Sequence, residues 1–203
     1  MSVHSLFGKR PAVTAAHAFL FLFVVSEGSA FAQTQAPADG KVTVNYTYTK
    51  IRGFASNQFA IWIEDETGRY VRTLFVTKYT AQKEGWKKRK QSLVNWVKAS
   101  GIKNLTKEQI DAMSGATPKP GRLSVVWDMK DSSGRTVAPG VYLYKIEGCL
   151  FWKKNEVWTG KIAVGGAAAA SQAQVGYYPE GAEKSGKVLI TDVSAAYEPG
   201  SRK

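Results

Sequence analysis

Two stretches of this chain share the pattern D-x-x-G-R-x-V, Asp65 to Val71 and Asp131 to Val137. Each lies between runs rich in β-branched and aromatic residues. Phe59-Ala60-Ile61-Trp62-Ile63 precedes the first and Tyr70 to Val76 follows it. Leu123-Ser124-Val125-Val126-Trp127 precedes the second and Val141 to Ile146 follows. An aspartate opens a tight turn by accepting hydrogen bonds from the backbone just downstream, and glycine supplies the positive φ that closes it. Val42 to Tyr48 alternates apolar and polar residues as a half-buried strand does. Short strands joined by such turns predict a mainly β chain, an antiparallel β-sandwich.

The stretch from Trp127-Asp128 through Gly134-Arg135 to Gly140-Val141-Tyr142 resembles the immunoglobulin-like hairpin of flagellar-hook capping proteins. That resemblance implies an immunoglobulin-like sandwich and carries no function with it. Between the two turn motifs the pattern changes to a short two-helix insertion, at about 90–114. Ser92 is placed to cap a helix bearing Leu93, Val94, Trp96 and Val97 that ends at Gly101. Thr106-Lys107-Glu108-Gln109 has the form of a capping box, opening a helix that runs to Met113. Cys149 to Trp152 and Val157 to Val164 read as a further strand pair. The sandwich domain is thus expected over 41–165. An Ala-rich linker at 166–174 follows it, and C-terminal strands and tail over 175–203 complete a sandwich edge. Trp62, Trp127 and Trp152 fall in strands and Trp96 on a helix face, so all four are expected in the core.

Residues 1–32 read as a cleavable signal peptide. Lys9-Arg10 precedes the apolar run Ala12 to Val25, and Ala30-Phe31-Ala32 supplies small residues at the cleavage site. A polar leader, 33–40, begins the mature chain, which is expected in the periplasm and not membrane-spanning. Removing Lys9, Arg10 and Glu27 takes the formal charge from +12 to +11. Cleavage also removes both histidines, His4 and His17, leaving no imidazole for a Ser-His-Asp triad or for metal ligation. The single cysteine, Cys149, lies in an apolar stretch and reads as a buried, inert thiol. A strongly basic exported protein points away from nucleic acid and toward acidic protein surfaces, anionic head groups or phosphate-bearing ligands. The densest basic run, Lys87-Lys88-Arg89-Lys90, reads either as a solvated loop and helix start or as a patch that steers an acidic partner.

Asp111-Ala112-Met113-Ser114-Gly115-Ala116-Thr117 matches the D-x-x-[ST]-G-A-T pattern of covalent flavin attachment. The match implies that an exported FMN transferase esterifies Thr117 with the phosphate of FMN, with Asp111, Ser114, Gly115 and Ala116 forming the recognised segment. A structural reading competes with it. Gly115 suits a left-handed helix cap and Pro118 a stop residue beyond it, with no cofactor involved. If the flavin is present, one or two tryptophans near the motif could stack on its isoalloxazine ring, with Lys119 near the phosphate.

The chain also resembles domain-of-unknown-function family 2271, a family of predicted periplasmic proteins. The resemblance runs through Trp62-Ile63-Glu64-Asp65, Thr73 to Thr77, Ser92-Leu93, Trp96-Val97, Asp111 to Gly121, Trp127-Asp128 and Glu147-Gly148. It implies an extracytoplasmic redox setting, with an FMN transferase and a membrane-bound reductase of acidic surface as partners. Two functions from different classes follow. One is a covalently FMN-bound redox carrier or accessory in extracytoplasmic electron transfer. The other is a cofactor-free immunoglobulin-like interaction module.

Overall fold

The computed structural model describes residues 38–53, 55–181 and 186–200. The expected signal peptide and most of the polar leader lie outside them. The strands are β1 (Gly40–Tyr48), β2 (Phe59–Asp65), β3 (Tyr70–Thr77), β4 (Ser114–Gly115), β5 (Gly121–Trp127), β6 (Gly140–Phe151), β7 (Lys154–Val164), β8 (Ala169–Gln172), β9 (Gln174–Tyr178) and β10 (Ile190–Pro199). They form a four-stranded sheet, β5-β1-β10-β8, and a six-stranded sheet, β4-β3-β2-β6-β7-β9. One apolar core joins them. Val42, Val44, Tyr46 and Tyr48 of β1 and Val193, Ala195 and Tyr197 of β10 meet Phe59, Ile61 and Ile63 of β2 and Tyr144 and Ile146 of β6. The protein is therefore mainly β, with two packed sheets.

The period-2 alternation of β2 serves both of its faces. Phe59, Ile61 and Ile63 point into the inter-sheet core, whereas Ala60 and Trp62 join a second cluster with Val76, Ala81, Leu93, Trp96 and Ile102. That cluster is the underside of a helical layer, so β2 is buried along nearly its whole length.

Four short α-helices make up this layer: α1 (Lys78–Ala81), α2 (Gly85–Lys88), α3 (Val94–Ser100) and α4 (Lys107–Met113). The two-helix expectation missed the first pair. Lys83 and Glu84 both have left-handed backbones, which breaks the segment into single turns without helical periodicity. Ser92 does not cap α3. Leu93 occupies the N-cap position, and Glu147 of β6 reaches across to accept the N–H groups of Asn95 and Trp96 at 3.3 and 2.8 Å. The capping box of α4 forms as expected, with Thr106 and Gln109 bonded reciprocally.

The two aspartate turns are near copies. Asp65 Oδ1 accepts from the Thr67 hydroxyl and from the N–H groups of Thr67 and Arg69, while Arg69 Nε donates to Oδ2 at 2.8 Å. Asp131 does the same with Ser133 and Arg135. Gly68 and Gly134 close the turns at φ 84° and 81°. They differ in what they join. The first links β2 to β3 within one sheet, whereas the second carries the chain from β5 in one sheet to β6 in the other, closed only by a Lys130–Thr136 bridge.

Three further expectations are corrected. Residues 169–172, placed in a linker, form β8 and pair with β10. The segment beyond 175 does not add a single edge: β9 is the edge of the six-stranded sheet, but β10 lies inside the other sheet, between β1 and β8. Pairing is not wholly antiparallel, since β4 runs parallel to β3 through Val76–Ser114 and Thr77–Gly115.

Candidate functional site

The Asp111–Thr117 segment is built by the end of α4 and the short strand β4. Asp111 lies in the last turn of α4 and is held twice. Lys107, one turn earlier, donates to Oδ2 at 2.9 Å, and Gln82 donates from Nε2 to Oδ1 at 2.7 Å. The hydrogen bond to Asp111, reinforced by its charge, raises the Lys107 pKa. The same Gln82 amide reaches Ser114 Oγ at 3.0 Å, so one side chain clamps two motif positions. The Ser114 N–H caps the helix by donating to the Asp111 carbonyl.

Gly115 does not adopt the left-handed cap conformation expected of it. It continues as extended strand beside Thr77, and a Cβ there would sit 2.8 Å from Cε2 of Phe75. Glycine is required by close packing, not by positive φ. Beyond it the chain leaves the sheet. Ala116 and Thr117 are exposed on the loop that runs to β5, and the Thr117 hydroxyl has no hydrogen-bond partner among the described residues. The motif thus divides into an anchored half, Asp111 to Gly115, and a free half, Ala116-Thr117.

Next to the anchored half lies a cleft of about 560 Å³. Lys78, Lys83, Lys87, Lys103 and Lys107 line it, with the half-buried Trp86, Gln82 and Asp111. Glu84 pairs with Lys87, and Asp111 with Lys107. Lys78, Lys83 and Lys103 have no ion-pair partner among the described residues, so the cleft carries a net positive field. Lys87 Nζ also stands 5.2 Å from the centre of the Trp86 ring. The β3–β4 ladder ends with Thr77 beside Gly115; the chain on one side continues into α1 with Lys78, which lines the cleft, and on the other into the Ala116–Thr117 loop. Lys119, expected near a phosphate, is exposed and does not line it. A second hollow, about 740 Å³, lies on the Ala112 and Met113 side of α4. It is lined by Tyr70, Leu74 and Val126, and its Arg72 is paired with Asp128.

Sequence reasoning found the motif but not its surroundings. Gln82 is 29 positions from Asp111 in a segment without periodicity, and nothing in its local sequence marks it as a brace. Trp86 and Lys87 were visible as a basic-aromatic run, but their place in one cleft with Asp111 comes only from the tertiary fold, in which the Gln82–Glu84 turn before α2 meets α4.

A family model described as predicted periplasmic protein (DUF2271) matches residues 39–178, and the chain belongs to that family. The protein is accordingly periplasmic. No helix among the described residues is long and apolar enough to cross a membrane. Comparison with curated proteins and with solved structures finds no match.

Proposed function

We propose that this periplasmic member of the DUF2271 family carries FMN as a phosphoester on Thr117. In this reading it serves as an electron carrier or accessory between a membrane-bound reductase and a periplasmic acceptor. The observation that carries the reading is the free half of the motif. Ala116 and Thr117 have no structural task in the fold, yet both occupy their motif positions. Attachment needs a hydroxyl that can enter another enzyme's active site, and a small-residue approach to it serves that purpose. In that step, with a flavin dinucleotide as donor, the Thr117 Oγ1–P bond forms, its hydroxyl proton is lost, and the bond from that phosphorus to the bridging pyrophosphate oxygen breaks, the nucleoside monophosphate leaving with that oxygen. The chain gains one FMN minus water.

The chain's own residues fit the group. Gln82 and Lys107 fix Asp111 and hold the segment in register while the transferase reads it. The lysines of the cleft beside Asp111 would offset the negative phosphoester, and Trp86 offers an aromatic face within the same cleft. Bound flavin would supply the one- and two-electron chemistry, which no protein side chain here provides. An immunoglobulin-like form of the sandwich belongs to the same proposal. It is supported by the Tyr142 hydroxyl, which donates back to the Ala138 carbonyl at 2.8 Å at the start of β6, beside the buried Trp127.

One finding favours the cofactor-free interaction module. Phe75 accounts for Gly115, and Gln82 for Asp111 and Ser114, without any flavin. Co-expression with an FMN transferase separates the two readings. Flavin absorbance that stays with the polypeptide through urea denaturation and gel filtration is expected of the carrier. A colourless chain from cells whose transferase labels a control substrate would leave the interaction module.

A further inference from the structure

The turn between β6 and β7 is made by Trp152 and Lys153, and it departs from what such a turn needs for folding. Trp152 was expected in the core. Instead its ring is exposed, at 62 % of its accessible surface, and its backbone is left-handed at φ 48°. Hairpin turns place Gly, Asn or Asp at such φ values, and a bulky residue there is strained. Neither burial nor turn chemistry accounts for tryptophan at this position.

Its surroundings are cationic. Lys153 and Lys154 follow it in sequence, and Lys187 stands 4.5 Å over the ring of Phe151, which meets Trp152 edge-on at 6.1 Å. Lys88 and Arg89 line a shallow hollow of about 480 Å³ together with Phe151 and Trp152, and no carboxylate among the described residues lines it. Asn155 Nδ2 donates to the Gln91 carbonyl at 3.2 Å, which ties the end of the basic run to the base of this hairpin. Lys88 and Arg89 of the basic run and Trp152, more than sixty positions apart, therefore form one surface.

We infer that this hairpin tip docks the protein on an anionic phospholipid surface. A projecting indole amid lysines has the amphipathic character of side chains that settle at the head-group level of a bilayer. The surrounding cations supply attraction to anionic head groups. An acidic protein would satisfy the charges, but a solvent-exposed ring on a strained hairpin turn beside a shallow, open hollow matches a soft interface better than a fitted pocket. This inference is independent of the flavin and holds for either reading of the Thr117 loop.

The test is sedimentation of the mature chain with vesicles of phosphatidylcholine containing phosphatidylglycerol, against vesicles of phosphatidylcholine alone. Binding only to the anionic vesicles, weakened by salt and accompanied by a blue shift of tryptophan emission, is expected. Trp152→Ser should weaken it by about tenfold. Lys88→Gln and Lys153→Gln should each weaken it roughly fivefold. Trp152→Gly relieves the backbone and should bind as poorly as Trp152→Ser while keeping the wild-type melting temperature, which separates lost docking from lost folding. Equal binding by the Trp152 variants would overturn the inference. So would binding to polyglutamate resin with none to vesicles, which would assign the surface to an acidic protein.

Discussion

Gly115 and Thr117 are two positions apart and answer to different forces. Gly115 is fixed by the ring of Phe75, itself packed against Phe59 in the inter-sheet core, so an added methyl must push aromatic side chains out of place. Gly115→Ala should lower stability in urea denaturation by about 1–2 kcal/mol, the usual cost of overpacking. An unchanged midpoint would mean that the loop moves freely and that close packing does not explain the glycine. Thr117 is exposed and makes no hydrogen bond among the described residues. At this scale the sequence disclosed the attachment pattern and the residue types it needs, but not which of them the fold uses for itself. Gly115 looked like a left-handed cap because helix-Ser-Gly-x-x-Pro is a common ending, and only the parallel pairing with β3 shows otherwise. Trp152 misled for a related reason, since an apolar run predicts a strand but does not locate its last residue.

At the scale of elements, the buried carboxylates tie pieces of the fold together. Glu147 on β6 binds the start of α3, and burial raises its pKa against the opposing pull of the Trp96 and Asn95 donors. Glu156 on β7 accepts the Ile190 N–H at 2.6 Å, holding the entry to β10, and burial pushes its pKa up to about 8 despite that hydrogen bond. Folded protein therefore keeps this proton up to about pH 8, whereas an unfolded glutamate releases it near 4.5. The stability that Glu156 contributes should be fully present below pH 4.5 and fall as pH rises through that window. Glu156→Gln keeps an acceptor for Ile190 and has no charge to bury, so it should flatten this slope and exceed wild type in urea midpoint at pH 8. Parallel pH profiles for the two proteins would rule out a buried, proton-holding Glu156. Elements with local signatures were legible in advance: the paired aspartate turns and the Thr106–Gln109 capping box lie within a few residues. The cap of α3 was not, because its donors and its acceptor are about fifty positions apart.

Across the whole molecule, the two sheets close only when the C-terminal strand is in place. β10 sits between β1 and β8 and gives Ile190, Val193, Ala195 and Tyr197 to the common core. A chain ending at residue 178, where the family match ends, should lose cooperative unfolding, and a sharp transition in that fragment would show that the family-wide portion folds without β10. Small residues hid this arrangement, since Gly165 to Ala170 has the composition of a linker while its end pairs as strand β8. The assembled fold sets the Thr117 loop just beyond the segment that Gln82 braces, next to a lysine-lined cleft, and the function proposed makes this loop a covalent flavin acceptor. The most direct measurement is intact mass followed by peptide mapping of protein produced with an active FMN transferase. One added FMN minus water, on the peptide bearing Thr117, is the result expected. Thr117→Ala should abolish it with a stability change within about 0.5 kcal/mol, and Thr117→Ser should restore part of it. An unmodified wild-type mass, or an adduct that persists in Thr117→Ala, would contradict the claim.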